Sequence, residues 1–201
     1  MMPSVRRRYS YRGTVQGVGF RPCVYRCASE LGLSGFVQNR RSWVVAEIQG
    51  PAQRVEAYAE RLRERLPPAA RITEVRVEDL IPLAEEGFRI AESGSADYDF
   101  PPIPPDLALC PDCRRELLDP ADRRYLYPFV SCTQCGPRYT IVERTPFDRE
   151  TTAMVDFPLC PACRAEYEDP RNRRFHAQAS SCPACGPHLR LLDASGRERP
   201  G

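Results

Sequence analysis

The sequence predicts an α+β chain in two parts: a ferredoxin-like β-α-β-β-α-β domain, then a small duplicated zinc-finger domain. Three observations predict it. Up to residue 90, apolar residues alternate between period two and helical spacing in the order strand, helix, strand, strand, helix, strand. Beyond residue 106, eight of the ten cysteines fall in four C-x-x-C pairs. Between these parts, "SGSADYDFPPIPPD" is rich in Ser, Gly, Asp and Pro, the composition of an extended linker. The expected divisions are a ferredoxin-like first domain at 5–93, a linker at 94–106, a finger domain at 107–190, and a polar tail or the start of a linker at 191–201.

The first strand spans 5–15, where Tyr9, Tyr11, Gly13 and Val15 alternate with polar residues. A helix follows at about 22–31, with Pro22 in its first turn and Gly32 at its end. Ser34 to Asn39 and Trp43 to Gln49 form a hairpin, and Trp43 reads as a cross-strand packing residue. A second helix starts after Gly50 with Pro51 at its first position. Val55, Tyr58, Ala59, Leu62 and Leu66 give it an apolar stripe, and Pro67-Pro68 ends it. Arg71 to Leu80 is a fourth strand, alternating at Val75 and Val77, and Phe88 to Ile90 a short fifth.

The cysteine pairs are Cys110/Cys113, Cys132/Cys135, Cys160/Cys163 and Cys182/Cys185. Shifting the chain by 50 residues lays "CPDCRRELLDPADRRYLYPFVSCTQCGP" over "CPACRAEYEDPRNRRFHAQASSCPACGP", with 14 of 28 positions identical. Each copy has two pairs separated by 18 residues. Structural zinc takes four ligands in a tetrahedron, and two tight turns bearing two thiolates apiece close that shell. Two structural zinc ions are therefore expected, one per repeat. Eight cysteines could instead form a disulfide framework of a secreted domain, but "MMPSVRRRYS" has no apolar signal core. No stretch approaches a membrane span, and a cytoplasmic location is expected. His176 and His188 are not needed as ligands, since each site already has four thiols. Cys23 and Cys27, four apart on the first helix, read as small packed side chains.

Net charge is +2, and all 29 basic residues are arginine. The absence of lysine excludes Schiff-base chemistry and a G-x-x-x-x-G-K-[ST] nucleotide loop, and leaves arginine to recognise phosphate. Residues 110–187 hold eleven arginines and eleven acidic residues. Two four-thiolate zinc centres would bring that segment to about −4, against the positive charge that nucleic-acid modules concentrate. The pairs Arg123-Arg124 and Arg173-Arg174 recur in both repeats. They suit ion pairing with Asp119, Asp122, Asp169 or a nearby Glu, and alternatively an anion-lined passage.

The segment "QGVGFR", Gln16, Gly17, Val18, Gly19, Phe20 and Arg21, joins the first strand to the first helix. Two glycines free the backbone to turn amides inward, and a helix N-terminus favours an anion. Arg21 adds a planar cation matched to phosphate oxygens. A plain strand-to-helix turn with an exposed arginine is the alternative.

The wider pattern "RGTVQGVGFRPCVYRCASELGLSGFVQN" closely resembles the acylphosphatase family. That resemblance implies that the loop cradles a phosphate, that Arg21 binds it, and that Asn39 orients the attacking water. The chain departs from the family after Asn39, where "RRSW" stands in place of the usual Asp-Gly. Followed by the doubled cysteine frame, with "RRYLYPFVSCTQCGPRYTI" and "DPRNRRFHAQASSCPACGPHL", the pattern resembles the HypF family of carbamoyltransferases in [NiFe]-hydrogenase maturation. This resemblance covers about residues 5–190. It implies cleavage of carbamoyl phosphate at the first domain. Adenylation of the carbamate and transfer to the C-terminal cysteine of a HypE-like partner would follow, by domains beyond Gly201. No nucleic-acid or membrane partner is expected. A free-standing acylphosphatase with a structural zinc appendage and a zinc-ribbon nucleic-acid module are the competing readings.

Overall fold

A computed structural model of the chain describes residues 4–94 and 101–199. Strand β1 runs Ser4–Thr14, helix α1 Phe20–Glu30, β2 Ser34–Arg40, β3 Trp43–Pro51, α2 Ala52–Glu64, β4 Arg71–Leu80 and β5 Phe88–Ile90. The sheet order is β4-β1-β3-β2-β5. Its first four strands are antiparallel neighbours, and β5 adds in parallel to β2. This is the expected ferredoxin-like arrangement with one short strand appended.

Both helices cover one sheet face. Tyr9, Tyr11, Val37, Val44, Ala46 and Ile48 point into that layer and are buried against Phe20, Val24 and Val55. From α2, Val55, Tyr58 and Leu62 are buried as the stripe requires. Each such side chain contributes ~1.5–3 kcal/mol on leaving water. Val75 and Val77 pair with Tyr11 and Tyr9, so they share the helix-facing side. They are nevertheless about half exposed, because β4 is an edge strand and α2 packs on β1 and β3 instead.

The boundaries differ at two prolines. Helix α1 starts at Phe20, two residues early, because Gly19 in a left-handed conformation closes the loop. Phe20 then packs edge-on against Tyr11 at 5.1 Å. Pro22 remains in the first turn, where no amide partner is lost. Pro51 ends β3 and caps α2 rather than opening it. The hairpin tip, lacking Asp-Gly, turns through Arg41 at φ 58. The guanidinium groups of Arg76 and Arg12 lie over the Trp43 ring, at 4.4 and 5.7 Å from its centroid.

Residues 95–100 of the expected linker lie outside the described residues. The linker's end is tied down, with Leu107 and Gly136 exchanging both backbone hydrogen bonds at 2.9 Å. Each finger repeat opens with a cysteine that caps a short helix, α3 at Pro111–Leu118 and α4 at Pro161–Glu168, both with proline in the first turn. The finger segment packs on α1. Arg26 donates to the carbonyls of Pro170 and Asn172 at 2.7 and 2.8 Å, and Tyr25 meets Phe175 at 5.1 Å. The tail, expected as a polar linker, contains a small ribbon in which Leu191–Leu192 pairs with Glu198–Arg199. No helix among the described residues is long and apolar enough to cross a membrane.

Candidate functional site

The eight paired cysteines gather into two clusters, Cys110, Cys113, Cys132, Cys135 and Cys160, Cys163, Cys182, Cys185, with sulfurs in each within 4.8 Å of one another. Cys110–Cys132 and Cys132–Cys135 sulfurs are 3.8 Å apart, as are Cys160–Cys182, and Cys182–Cys185 are 3.7 Å apart. A tetrahedron with Zn–S bonds of about 2.3 Å has edges of about 3.8 Å. All ten cysteines are free thiols, so the disulfide alternative fails on geometry. The donor sets fit two structural zinc ions, held repeat by repeat. His176 and His188 belong to neither cluster. Cys23 and Cys27 are buried in the N-terminal core, with the Cys23 thiol 3.1 Å from the Arg65 carbonyl oxygen.

The Gln16–Arg21 loop lies against the finger segment. Gly17 and Gly19 adopt φ 70 and 77, which only glycine takes without strain. A Cβ on Gly17 would press on Arg138 and the Phe147 ring at 3.3 Å, and one on Gly19 on Thr133 at 3.1 Å. Among the described residues, no backbone carbonyl accepts from the amides of residues 17–21. Gln16 fixes the loop at both ends. Its amide donates to the Arg41 carbonyl at 2.8 Å, and its oxygen accepts from the Phe147 amide at 3.3 Å. Arg138, buried, donates to the carbonyls of Gly17, Cys132, Thr133, Cys135 and Pro137. Burial lowers its pKa, and the five carbonyls replace the water it loses.

Arg21 is nine-tenths buried and paired with Asp148 at 2.5 Å. It also donates to the Phe147 carbonyl at 3.3 Å and the Ser93 hydroxyl at 3.4 Å. Ser93 in turn donates to Asp148. An oxyanion thus already occupies the Arg21 guanidinium. Asn39 points into the covered face of β2 and is fully buried, and among the described residues neither its side-chain nitrogen nor its side-chain oxygen has a hydrogen-bond partner. Its carbonyl accepts from Gly94, next to Ser93, at 2.9 Å.

Two spaces adjoin Arg21. One, beside Gly17, Gly19, Thr133 and Phe147, is about 30 Å³, room for about two waters. The other is a cleft of about 670 Å³ lined by Arg21, Ser93, Arg144, Asp148, Tyr167 and His176. His176 borders both. Burial, then the nearby Arg21 cation, pushes its imidazole pKa down to about 4.

The recurring arginine pairs are spent on glutamates, each from the opposite repeat. Arg123 and Arg124 hold Glu166 at 2.7 and 2.5 Å, and Arg173 and Arg174 hold Glu116. The candidate partners Asp119, Asp122 and Asp169 instead accept local bonds from Ala121, Arg124 and Arg171 amides. Sequence reasoning missed Asp148, Arg138, Phe147 and Thr133. Asp148 and Phe147 lie in the 22 residues between the repeats. That spacer has no counterpart in the duplication, the one signal that could have drawn notice.

Residues 7–90 match the acylphosphatase family, and residues 109–142 and 159–192 each match the HypF finger. The chain is 51% identical over 157 residues to the carbamoyltransferase HypF2 of Cupriavidus necator, covering 77% of this chain and 20% of that protein. It is 41% identical over 93 residues to the acylphosphatase of Moorella thermoacetica, covering 46% of this chain and 99% of that enzyme. The crystal structure of a full-length HypF in its phosphate- and nucleotide-bound form superposes with a TM-score of 0.91 at 40% identity, over 96% of this chain and 26% of that one. The chain spans about a fifth of the length of the curated HypF relatives it matches.

Proposed function

The chain belongs to the acylphosphatase family over its first part and carries the HypF finger twice in its second, and from this we propose that it hydrolyses carbamoyl phosphate at the Gln16–Arg21 loop. The free amides of the loop and Arg21 bind the phosphoryl group. Asn39 holds the water, whose oxygen bonds to phosphorus as the bridging P–O bond breaks. Carbamate leaves as the anion, and both of the water's protons stay with the phosphate, which departs as dihydrogen phosphate. Stabilising charge on the transferring phosphoryl group is the main contribution such a site can make. Substrate reaches Arg21 from the larger cleft, exchanging the Asp148 carboxylate for phosphoryl oxygens.

Asn39 is the observation that carries this reading. A buried polar group without a partner costs ~1–3 kcal/mol, and both ends of this side-chain amide lack one among the described residues, on the strand whose backbone accepts from Gly94, next to the Ser93 that Arg21 contacts. A water or substrate oxygen would satisfy it. The HypF-like frame supports a wider role as the front part of a hydrogenase-maturation carbamoyltransferase, feeding carbamate to an adenylating domain and on to a HypE-like partner. A nucleic-acid role is disfavoured, because Arg123, Arg124, Arg173 and Arg174 grip Glu166 and Glu116 instead of facing outward together.

Steady-state hydrolysis of carbamoyl phosphate tests the assignment. Asn39→Ala should lower kcat about 100-fold or more with little change in KM, since positioning a water matters in the transition state and not in ground-state binding. A raised KM at unchanged kcat would contradict the role given to Asn39.

A further inference from the structure

We propose that each zinc centre is completed by an arginine from the opposite repeat, so that the two centres load as a pair. Arg173, in the second repeat, donates to the Cys113 sulfur of the first at 3.1 Å and lies 3.9 Å from Cys110. Arg123, in the first repeat, donates to the Cys163 sulfur of the second at 3.3 Å. The exchange is reciprocal in its supports too. Arg124 donates to the Ser181 carbonyl at 2.8 Å, one residue before Cys182. Arg174 donates to the Ser131 carbonyl at 3.1 Å, one residue before Cys132. Glu116 and Glu166, which receive the arginine pairs, sit three residues after Cys113 and Cys163 on α3 and α4. Each arginine pair therefore grips the other repeat's metal-binding helix and the approach to its second knuckle.

The chemistry favours this exchange. Four thiolates around a divalent zinc leave a net charge of −2, and Cys113 and Cys163 are fully buried. A guanidinium N–H on a thiolate is a charge-assisted bond that offsets this charge. Groups just outside a metal's ligands tune its affinity, and their loss typically costs 10- to 100-fold. Arg123-Arg124 and Arg173-Arg174 each lie between the two knuckles of their own repeat. Small zinc modules are unfolded without metal, so an empty repeat cannot hold its arginines against its neighbour. Whatever metal in one repeat does for the other's affinity, the other must do in return.

Native mass spectrometry of the full chain at substoichiometric zinc reads the coupling. Zero- and two-zinc species should dominate, with the one-zinc species below the share that two independent, equal sites would give. A one-zinc species at or above that share would overturn the proposal. Cadmium-113 NMR of the cadmium-loaded chain reads the assignment, with the two resonances told apart by a Cys110→Ser chain. Arg173→Gln should shift the resonance of the Cys110 centre and speed its metal loss to a chelator about 10-fold or more, although Arg173 belongs to the other repeat. Arg173→Lys, which keeps a charged donor, should fall between. A shift confined to the Cys160 centre, or none, would overturn the assignment. The mass-spectrometric reading stands even where Arg173→Gln fails to fold.

Discussion

His176 shows how one residue is set by what surrounds it. It adopts φ 52 and packs between Tyr167 at 4.8 Å and Phe175 at 4.7 Å. Burial and then the Arg21 cation depress its pKa to about 4, so the imidazole is neutral at pH 7. The unfolded chain takes up its proton near the ordinary histidine value of about 6.5. Between those values the unfolded state binds more protons, so stability is full above about 6.5 and is lost as pH falls toward 4. His176→Asn keeps a residue tolerant of the left-handed backbone but removes the titration. The stability gap between wild type and this variant should narrow from pH 7 to pH 5 in denaturant melts, both with zinc present. A gap that stays constant or widens on acidification would mean His176 is not held neutral. Arg21, beside it, stays paired with Asp148.

Strand β2 carries Asn39 into place, and its register rests on Gly35. Gly35 adopts φ 129, and a Cβ there would fall on the Glu47 carbonyl oxygen of β3. Gly35→Ala must therefore shift the β2–β3 ladder, at a cost of about 3 kcal/mol from backbone strain and overlap. Chemical denaturation of the zinc-loaded chain should show that loss, and a change under ~1 kcal/mol would contradict the geometry. The elements themselves were readable from the chain, because period two and helical spacing alternate cleanly through residue 90. Val75 and Val77 alternate as expected yet stand half exposed, because alternation reports which face a residue takes and not whether a helix reaches that edge. The prolines misled by one or two residues, since Pro22 and Pro51 fit several positions in a helix's first turn.

Across the whole molecule, the zinc ligands were the most legible feature, because four thiols at fixed spacing admit few geometries. The loop and Asn39 drew notice through family likeness. What the sequence hid was the joint between the halves. Arg138, Phe147 and Asp148 reach Gly17, Gln16 and Arg21 from more than 110 residues away, and no local pattern announces a contact of that separation. The arginine pairs were recognised as ion-pairing residues, but their partners lie in the opposite repeat, which composition cannot reveal. The two parts thus meet at the loop, with Arg138, Phe147 and Asp148 of the finger segment set against Gly17, Gln16 and Arg21. The most direct measurement is phosphorus-31 NMR of the purified, zinc-loaded chain with carbamoyl phosphate and ATP together, beside an Arg21→Ala chain. Inorganic phosphate should grow steadily from carbamoyl phosphate with ATP left intact, and that growth should fall to the spontaneous rate with Arg21→Ala. Phosphate release no faster than the spontaneous rate in the unaltered chain, or carbamoyl-dependent formation of AMP and pyrophosphate, would contradict this expectation.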